Sequence, residues 1–161
     1  GRAKETAYQM SKALKEIKRD LERAYIGVDN AAVTGNSSTA REMASATQQI
    51  STDVDAGTNA TDPLTEAKLL TLGETVFNNG SDPSVFMIKP ADAQIVAGFT
   101  ASSGRNRTFN DGNTSLVNVI DLYVSPYGEY KVVLNRHQLT THAFLIDPAM
   151  FRSSVLLIIL K

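Results

Sequence analysis

The segment VIDLYVSPYGEYKVVLNR, residues 119–136, carries the strongest fold signal in the chain. Both of its ends are rich in β-branched and aromatic residues, which favour strands. Between them, the Ser-Pro-Tyr-Gly-Glu of residues 125–129 has proline and glycine where a hairpin turn uses them. The pattern predicts two strands, over 116–124 and 130–134, paired across this turn.

Outward from this hairpin, short apolar runs alternate with helical patterns. The runs are predicted to be strands, and they cover residues 85–88, 143–146 and 155–160. Apolar residues at helical spacing over 64–77 predict a helix that stops at the Asn-Asn-Gly of 78–80, and Pro90 is placed to begin a second helix. The order predicts an α+β fold with a small sheet, flanking helices and a polar loop over 101–115.

The first 26 residues predict a long amphipathic helix over residues 3–26. Apolar residues recur there at spacings of three and four, and these residues are Ala7, Met10, Leu14, Ile17, Leu21 and Ala24. Gly27 is a plausible stop. Such a helix is about 36 Å long at roughly 1.5 Å per residue. Only its narrow stripe needs burial, so we expect a strut that lies across a surface.

Residues 27–63 change character, because small and polar residues dominate and large apolar side chains are few. A stretch of this composition cannot bury enough apolar surface to hold itself together. We expect irregular structure with one strand near residues 43–50. A short amphipathic helix over 40–50 is the alternative.

Charge is unevenly distributed along the 161 residues, although the formal net charge is only −1. Residues 1–26 hold seven Lys/Arg against four Asp/Glu, a balance of +3, and the remainder holds nine against thirteen, a balance of −4. This asymmetry suits subunits that pack a basic element of one copy against an acidic face of the next. The alternative is ordinary variation between solvated faces. The near-neutral total gives no general reason to expect nucleic acid or an acidic membrane as a partner.

No pattern specifies a catalytic, cofactor or metal site, so we predict that the protein is not an enzyme and needs no cofactor. His137 and His142 would point to opposite faces of a strand. The Asp-Val-Asp-Ala-Gly of 53–57 resembles the start of a calcium loop, but the third acid is missing and Leu64 replaces the bidentate Glu. There is no cysteine, which excludes disulfides and thiolate metal sites. The longest apolar run, 155–160, is far short of the roughly 20 residues that span a bilayer.

Five segments occur in an order that resembles one family. They are Thr65-Glu66-Ala67, Asn78-Asn79-Gly80, the Asp-Pro-Ser-Val-Phe-Met-Ile-Lys-Pro of 82–90, the hairpin of 119–136 and the Phe-Leu-Ile-Asp-Pro-Ala-Met-Phe of 144–151. This succession is similar to the major capsid proteins of tailed bacteriophages with the Hong Kong 97 fold. The similarity covers residues 62–152 well and the first helix loosely, whereas 27–63 match poorly.

The resemblance implies a division into three parts. Residues 1–61 would hold the spine helix and a peripheral-domain segment, residues 62–152 the axial domain, and residues 153–161 the start of a strand returning to the peripheral domain. The family also has an N-terminal arm before the long helix and further strands at the end. Because neither is found here, we expect a fragment or a processed product.

The function implied by the resemblance is structural. Many copies would self-assemble into pentamers and hexamers that form an icosahedral head around DNA, which is bound only non-specifically. Scaffold, portal or decoration proteins are possible further partners; no membrane is involved. Assembly would take place in the cytoplasm of the bacterial host, and the final location would be the virion.

Four basic residues are predicted to lie at contacts between subunits. They are Arg105 and Arg107 in the long polar loop, and Lys18 and Arg19 on the first helix. Simple solvation is the alternative for the two loop arginines. Two other kinds of protein remain open at this stage: a non-enzymatic adaptor or binding module with a helical tether, and a small enzyme whose site forms only in three dimensions.

Overall fold

The computed structural model describes residues 2–55, 62–99 and 122–152. In chain order the elements are helix α1 (Arg2–Ile26), the single turn α2 (Ala46–Gln49), helix α3 (Glu66–Asn78), strand β1 (Val85–Ile88), a 3₁₀ turn (Pro90–Asp92) leading into helix α4 (Ala93–Ala97), and strands β2 (Leu122–Ser125), β3 (Gly128–Leu134) and β4 (Phe144–Ile146). The loop at 101–115 and the predicted strand at 155–160 lie outside these ranges.

The four strands form one sheet in the order β2-β3-β1-β4. Strand β1 runs parallel to β3, whereas β2 pairs with β3 and β4 pairs with β1 in antiparallel fashion. The predicted hairpin is confirmed from Leu122 onward, and residues 116–121 of its first predicted strand lie outside the described ranges. Its turn is held by Ser125 Oγ, which accepts a hydrogen bond from the Tyr127 amide (3.2 Å) and donates one to the Gly128 carbonyl (2.9 Å). Helices beside a mixed sheet agree with the α+β prediction.

The core lies between one face of the sheet and helices α3 and α4. Its buried members are Leu69, Phe86, Ile88, Val96, Phe99, Tyr123 and Tyr130. Helix α3 is held at both ends: the Thr65 side chain accepts from the Lys68 amide at the start, and Gly80 adopts φ 83° just after the last turn. The hydroxyl of Tyr123 on β2 also donates to Glu66 Oε1 at 2.8 Å, which fixes the helix start over the sheet.

The predicted strand near residues 43–50 is wrong, since this region forms the single helical turn α2 and one isolated bridge between Val33 and Glu42. The cause is local polar bonding. The amide of fully buried Ser45 donates to the Asn30 carbonyl, and the Asn30 amide donates back to Ser45 Oγ. The next residues, in α2, bond to Asp29, which directs the chain into a turn.

Close packing between α3 and β3 leaves one hydroxyl group unsatisfied. Tyr130 is fully buried, and its hydroxyl has no hydrogen-bond partner among the described residues. The hydroxyl lies directly over Gly73, where an added Cβ would approach it to 2.7 Å. The absence of a side chain at Gly73 therefore makes room for this tyrosine.

Substitutions at this contact test the packing. Because an unsatisfied buried hydroxyl costs about 1–3 kcal/mol, we expect Tyr130→Phe to raise the free energy of unfolding by about 1 kcal/mol. Gly73→Ala should lower it by about 1–2 kcal/mol through overpacking, although the same change in an open helix is favourable by about 1 kcal/mol. Urea denaturation of the two single variants and the double variant measures both effects. A clear loss of stability in Tyr130→Phe would mean that the hydroxyl has a partner after all.

Candidate assembly surfaces

Helix α1 projects from the body of the protein as an arm. Every described side chain from Lys4 to Ala24 is exposed, and only residues 25–28 are half-buried. The predicted apolar stripe is present but uncovered by the described residues: its four large members, Met10, Leu14, Ile17 and Leu21, are 49–62% exposed. Exposure on this scale along one helix face is typical of a surface that binds a partner.

Two of the four predicted contact residues lie on this arm. Lys18 and Arg19 are both exposed, and neither forms a salt bridge within the described chain. At about 100° per residue, Lys18 borders the apolar stripe, whereas Arg19 lies on the opposite side of the helix. Arg105 and Arg107 fall outside the described residues.

The arm is anchored at its last turn by the turn that follows β3. The Leu139 amide donates to the Ile26 carbonyl at 2.9 Å, and the side-chain amide of Asn135 donates to Glu22 Oε1 at 2.6 Å. Asn135 is itself buried, and its Oδ1 accepts from the His137 amide at 2.8 Å. The two hydrogen bonds to α1, from Leu139 and from Asn135, join residues more than a hundred positions apart, so no local pattern in the sequence predicts them.

Gly27 allows the close approach that this anchor needs. An added Cβ would lie 2.4 Å from the His137 carbonyl oxygen and 2.9 Å from that of Arg23. The Gly27 amide closes the helix by donating to the Arg23 carbonyl at 2.8 Å. The predicted stop at Gly27 is confirmed. The sequence did not predict the second role of this glycine, which is to let the helix end pack against the turn after β3.

The opposite end of the sheet, where β1 begins, brings together three turns; we call it the distal end. It consists of the C-terminal end of α3 (residues 77–82), the β2–β3 turn and the turn after β4. The carboxylate of Asp147 joins two of them, because it accepts from Ser81 Oγ (3.1 Å) and from the Asp82 amide (3.2 Å). Hydrogen bonds from the backbone amides of Ala149 and Asp82 lower the pKa of Asp147 below its usual value.

The distal end also exposes large apolar side chains. Phe77 is 55% exposed and its ring lies 6.1 Å from that of Tyr127, in the β2–β3 turn. Burial of the hydroxyl, followed by the nearby Glu74 carboxylate, raises the pKa of Tyr127. Other exposed apolar residues at this end are Val124, Met150 and Phe151. The distal end therefore combines apolar and acidic groups.

The histidine and carboxylate side chains of the described ranges do not form a metal centre. No group of three or more histidine and carboxylate side chains is placed to hold a metal ion there. The histidines follow β3 in turns: His142 Nδ1 lies 2.8 Å from Thr141 Oγ1, and its ring stacks on Phe144. A shallow depression over residues 34–41 has Arg41 as its one charged side chain, and Arg41 Nε donates to the Thr34 carbonyl.

Membrane insertion has no support from the helices either. In the part of the chain that the structure covers, no helix is both long enough and apolar enough to cross a bilayer. Even α1, with its 25 residues, carries charged side chains around most of its circumference.

Comparison with known proteins gives two findings. All of residues 1–161 match the family described as SU10 major capsid protein. A curated relative, the major capsid protein of Escherichia phage Phieco32, is 25% identical over 204 aligned residues. That alignment takes in 97% of this chain but 58% of the relative, so the chain spans little more than half of the relative's length.

Proposed function

The chain belongs to the SU10 major capsid protein family, and we propose that many copies of it assemble into the pentamers and hexamers of an icosahedral phage head. A structural role in a phage capsid follows from the family itself. The observation that carries the finer proposal is the match along the whole chain, together with a projecting arm whose apolar stripe is uncovered. A shell subunit needs surfaces of this kind, because its stability comes from repeated contacts between copies.

The proposed fold is that of the Hong Kong 97 capsid proteins. Helix α1 would be the spine helix within residues 1–61, the sheet with α3 and α4 would form an axial domain over 62–152, and residues 153–161 would begin the return to the peripheral domain. The support is the order of elements: a long exposed helix, a polar connection, and a small mixed sheet with its own core.

The proposed setting is the cytoplasm of a bacterial host, where the shell would form with a scaffold or portal protein and later accept decoration proteins. DNA inside the shell would be contacted only non-specifically, in keeping with a near-neutral chain. Lys18 and Arg19 on the arm, and Arg105 and Arg107 in the loop, would lie at boundaries between subunits. Both of the first two are exposed and form no salt bridge with another described residue, which supports their part of this proposal.

Electron microscopy of the parent full-length protein tests the assembly. Expressed in bacteria alone and with its scaffold, the protein should give closed shells, tubes, or free pentamers and hexamers in negative stain. Native mass analysis should give masses that are multiples of the subunit. A protein that stays monomeric under all these conditions would contradict the capsid assembly and favour the adaptor with a helical tether.

A further inference from the structure

The side of α1 that faces away from the apolar stripe is strongly basic. At about 100° per residue, five of the seven Lys/Arg of residues 1–26 fall within about 100° of arc on that side. We call these five the basic face, and they are Lys4, Lys12, Lys15, Arg19 and Arg23. All five are exposed, and none forms a salt bridge with another described residue. Most of the positive charge of the arm is therefore concentrated opposite the stripe.

The acidic residues of α1 do not cancel this charge. Of the four in residues 1–26, Glu5 and Glu22 fall at the two edges of the basic face, and the other two lie outside it. Glu22 Oε1 accepts a hydrogen bond from the Asn135 side chain at 2.6 Å, and Glu5 Oε1 accepts one from the Gln9 side chain at 2.7 Å. Both edge carboxylates thus have partners within the subunit, and the centre of the face holds only positive charge.

Like charges are neighbours within the basic face. Lys15, Arg19 and Arg23 follow one another at intervals of four residues, so adjacent members lie about one helical turn apart on the same side. Such pairs repel each other in an isolated helix, and an anion bound between them offsets the repulsion. Tyr8 lies in the same face and is 63% exposed, so its hydroxyl can donate to an anion as well. The face therefore suits a ligand with several negative charges.

The length of the basic face fits an extended polyanion. From Lys4 to Arg23 it spans about 28 Å at 1.5 Å per residue. Duplex DNA carries about one negative charge per 1.7 Å of its axis, so a row of cations of this length meets several phosphates. The rest of the chain, with a charge balance of −4, has no comparable excess of cations. Among the described elements, α1 is therefore the one suited to DNA.

The stripe decides which side of the helix stays open. Large apolar side chains gain free energy when protein covers them, so in an assembled shell the stripe turns toward protein. The basic face lies on the opposite side of the same helix and then points away from the protein wall. Under the proposed function, the polyanion enclosed by that wall is duplex DNA.

We infer that the basic face of α1 lines the inner surface of the head and binds the phosphate backbone of the enclosed duplex DNA. The inference rests on the proposed capsid function and names the surface that contacts the DNA. Binding is independent of base sequence, because contacts to phosphate carry no sequence information. A chain with a net charge of −1 can thus hold DNA at one surface, because its cations are gathered there.

Salt-dependent DNA binding tests the inference. Unassembled subunits or capsomers of the full-length protein are titrated against a fluorescent duplex of about 30 base pairs, between about 50 and 200 mM salt. The variant Lys4→Gln/Lys12→Gln/Lys15→Gln removes three cations of the face, and Arg19 is kept because it is also proposed to lie at a subunit boundary. The slope of log K against log salt should become less steep by about 2–3, and Kd at about 100 mM salt should rise at least about tenfold.

The matched control removes the same number of charges from the body. Lys131→Gln/Arg136→Gln/Arg152→Gln alters three exposed cations that form no salt bridge with another described residue. Its slope should stay within about 1 of that of the unaltered protein. Glutamine has nearly the helix propensity of lysine, so the variant of the arm should keep α1, which circular dichroism checks.

The outcomes separate the inference from the proposed function. Failure of the unaltered protein to form rings or shells would contradict the proposed function. If the protein assembles but the variant of the arm binds duplex DNA with an unchanged slope, the capsid function stands and the DNA contact is wrong. Binding of poly-glutamate without binding of the duplex would also overturn the inference, because the face would then serve an acidic protein.

Closed shells test the side on which the face lies. Shells of the unaltered protein should bind duplex DNA added from outside no more tightly than shells of the Lys4→Gln/Lys12→Gln/Lys15→Gln variant, because the face is enclosed. Tighter binding by the unaltered shells would place the basic face on the outer surface and contradict the inference.

Discussion

Phe86→Ala is expected to lower the free energy of unfolding by about 3–5 kcal/mol, the usual cost of emptying a large buried aromatic site. Phe86 is 2% exposed and lies on the core face of β1 among Leu69, Ile88 and Tyr130. A typical small domain is stable by about 5–15 kcal/mol, so this single change removes a large share. Urea denaturation followed by far-ultraviolet circular dichroism measures the loss.

Phe77→Ala is the matched control for Phe86→Ala. Phe77 is the same residue type and lies on α3, but it is 55% exposed at the distal end. We expect its truncation to cost less than about 1 kcal/mol, since little buried apolar area is lost. Equal losses in the two variants would show that the core is not centred on β1.

Local sequence signals were sufficient to predict most of the helices and strands that follow α1. The run 85–88 corresponds residue for residue to β1, and the run 130–134 lies within β3. The helix predicted over 64–77 is observed as Glu66–Asn78. In each case proline, glycine or a polar cap lies beside a short apolar pattern, so the boundaries are encoded by neighbouring residues.

Contacts between distant segments could not be predicted in the same way. The parallel pairing of β1 with β3, which inserts β1 between β3 and β4, depends on the whole core. The prediction of a strand near 43–50 was wrong because the hydrogen bonds that shape this region involve Asp29 and Asn30, which lie outside the predicted segment. Neither the sheet order nor these polar bonds has a periodic signature.

The candidate surfaces were predicted in part. Helical spacing identified the stripe on α1, but not its uncovered state, because periodicity does not say what faces an apolar side chain. The +3 and −4 charge balances suggested complementary elements. Only the fold shows that Glu74, Asp82 and Asp147, spread over more than seventy positions, share one end of the sheet.

Gly27→Ala is expected to displace the arm from the body. The added Cβ would lie 2.4 Å from the His137 carbonyl oxygen and 2.9 Å from that of Arg23. Both obstacles are backbone atoms that cannot rotate away, so either the helix end or the turn after β3 must move. The hydrogen bond from the Leu139 amide to the Ile26 carbonyl would be strained or lost. We expect the free energy of unfolding to fall by about 3 kcal/mol.

The same change should also affect assembly under the proposed function. Because α1 has 25 residues, a rotation of a few degrees at Gly27 displaces the far end of the helix several times further than it displaces the anchored end. Denaturation and negative-stain microscopy of the full-length Gly27→Ala protein should therefore show lower stability and few or no shells. Gly98→Ala is the control, because its Cβ would approach the nearest carbonyl oxygen only to 3.2 Å. A Gly27→Ala protein with unaltered stability and normal shells would mean that the anchor does not set the direction of the arm.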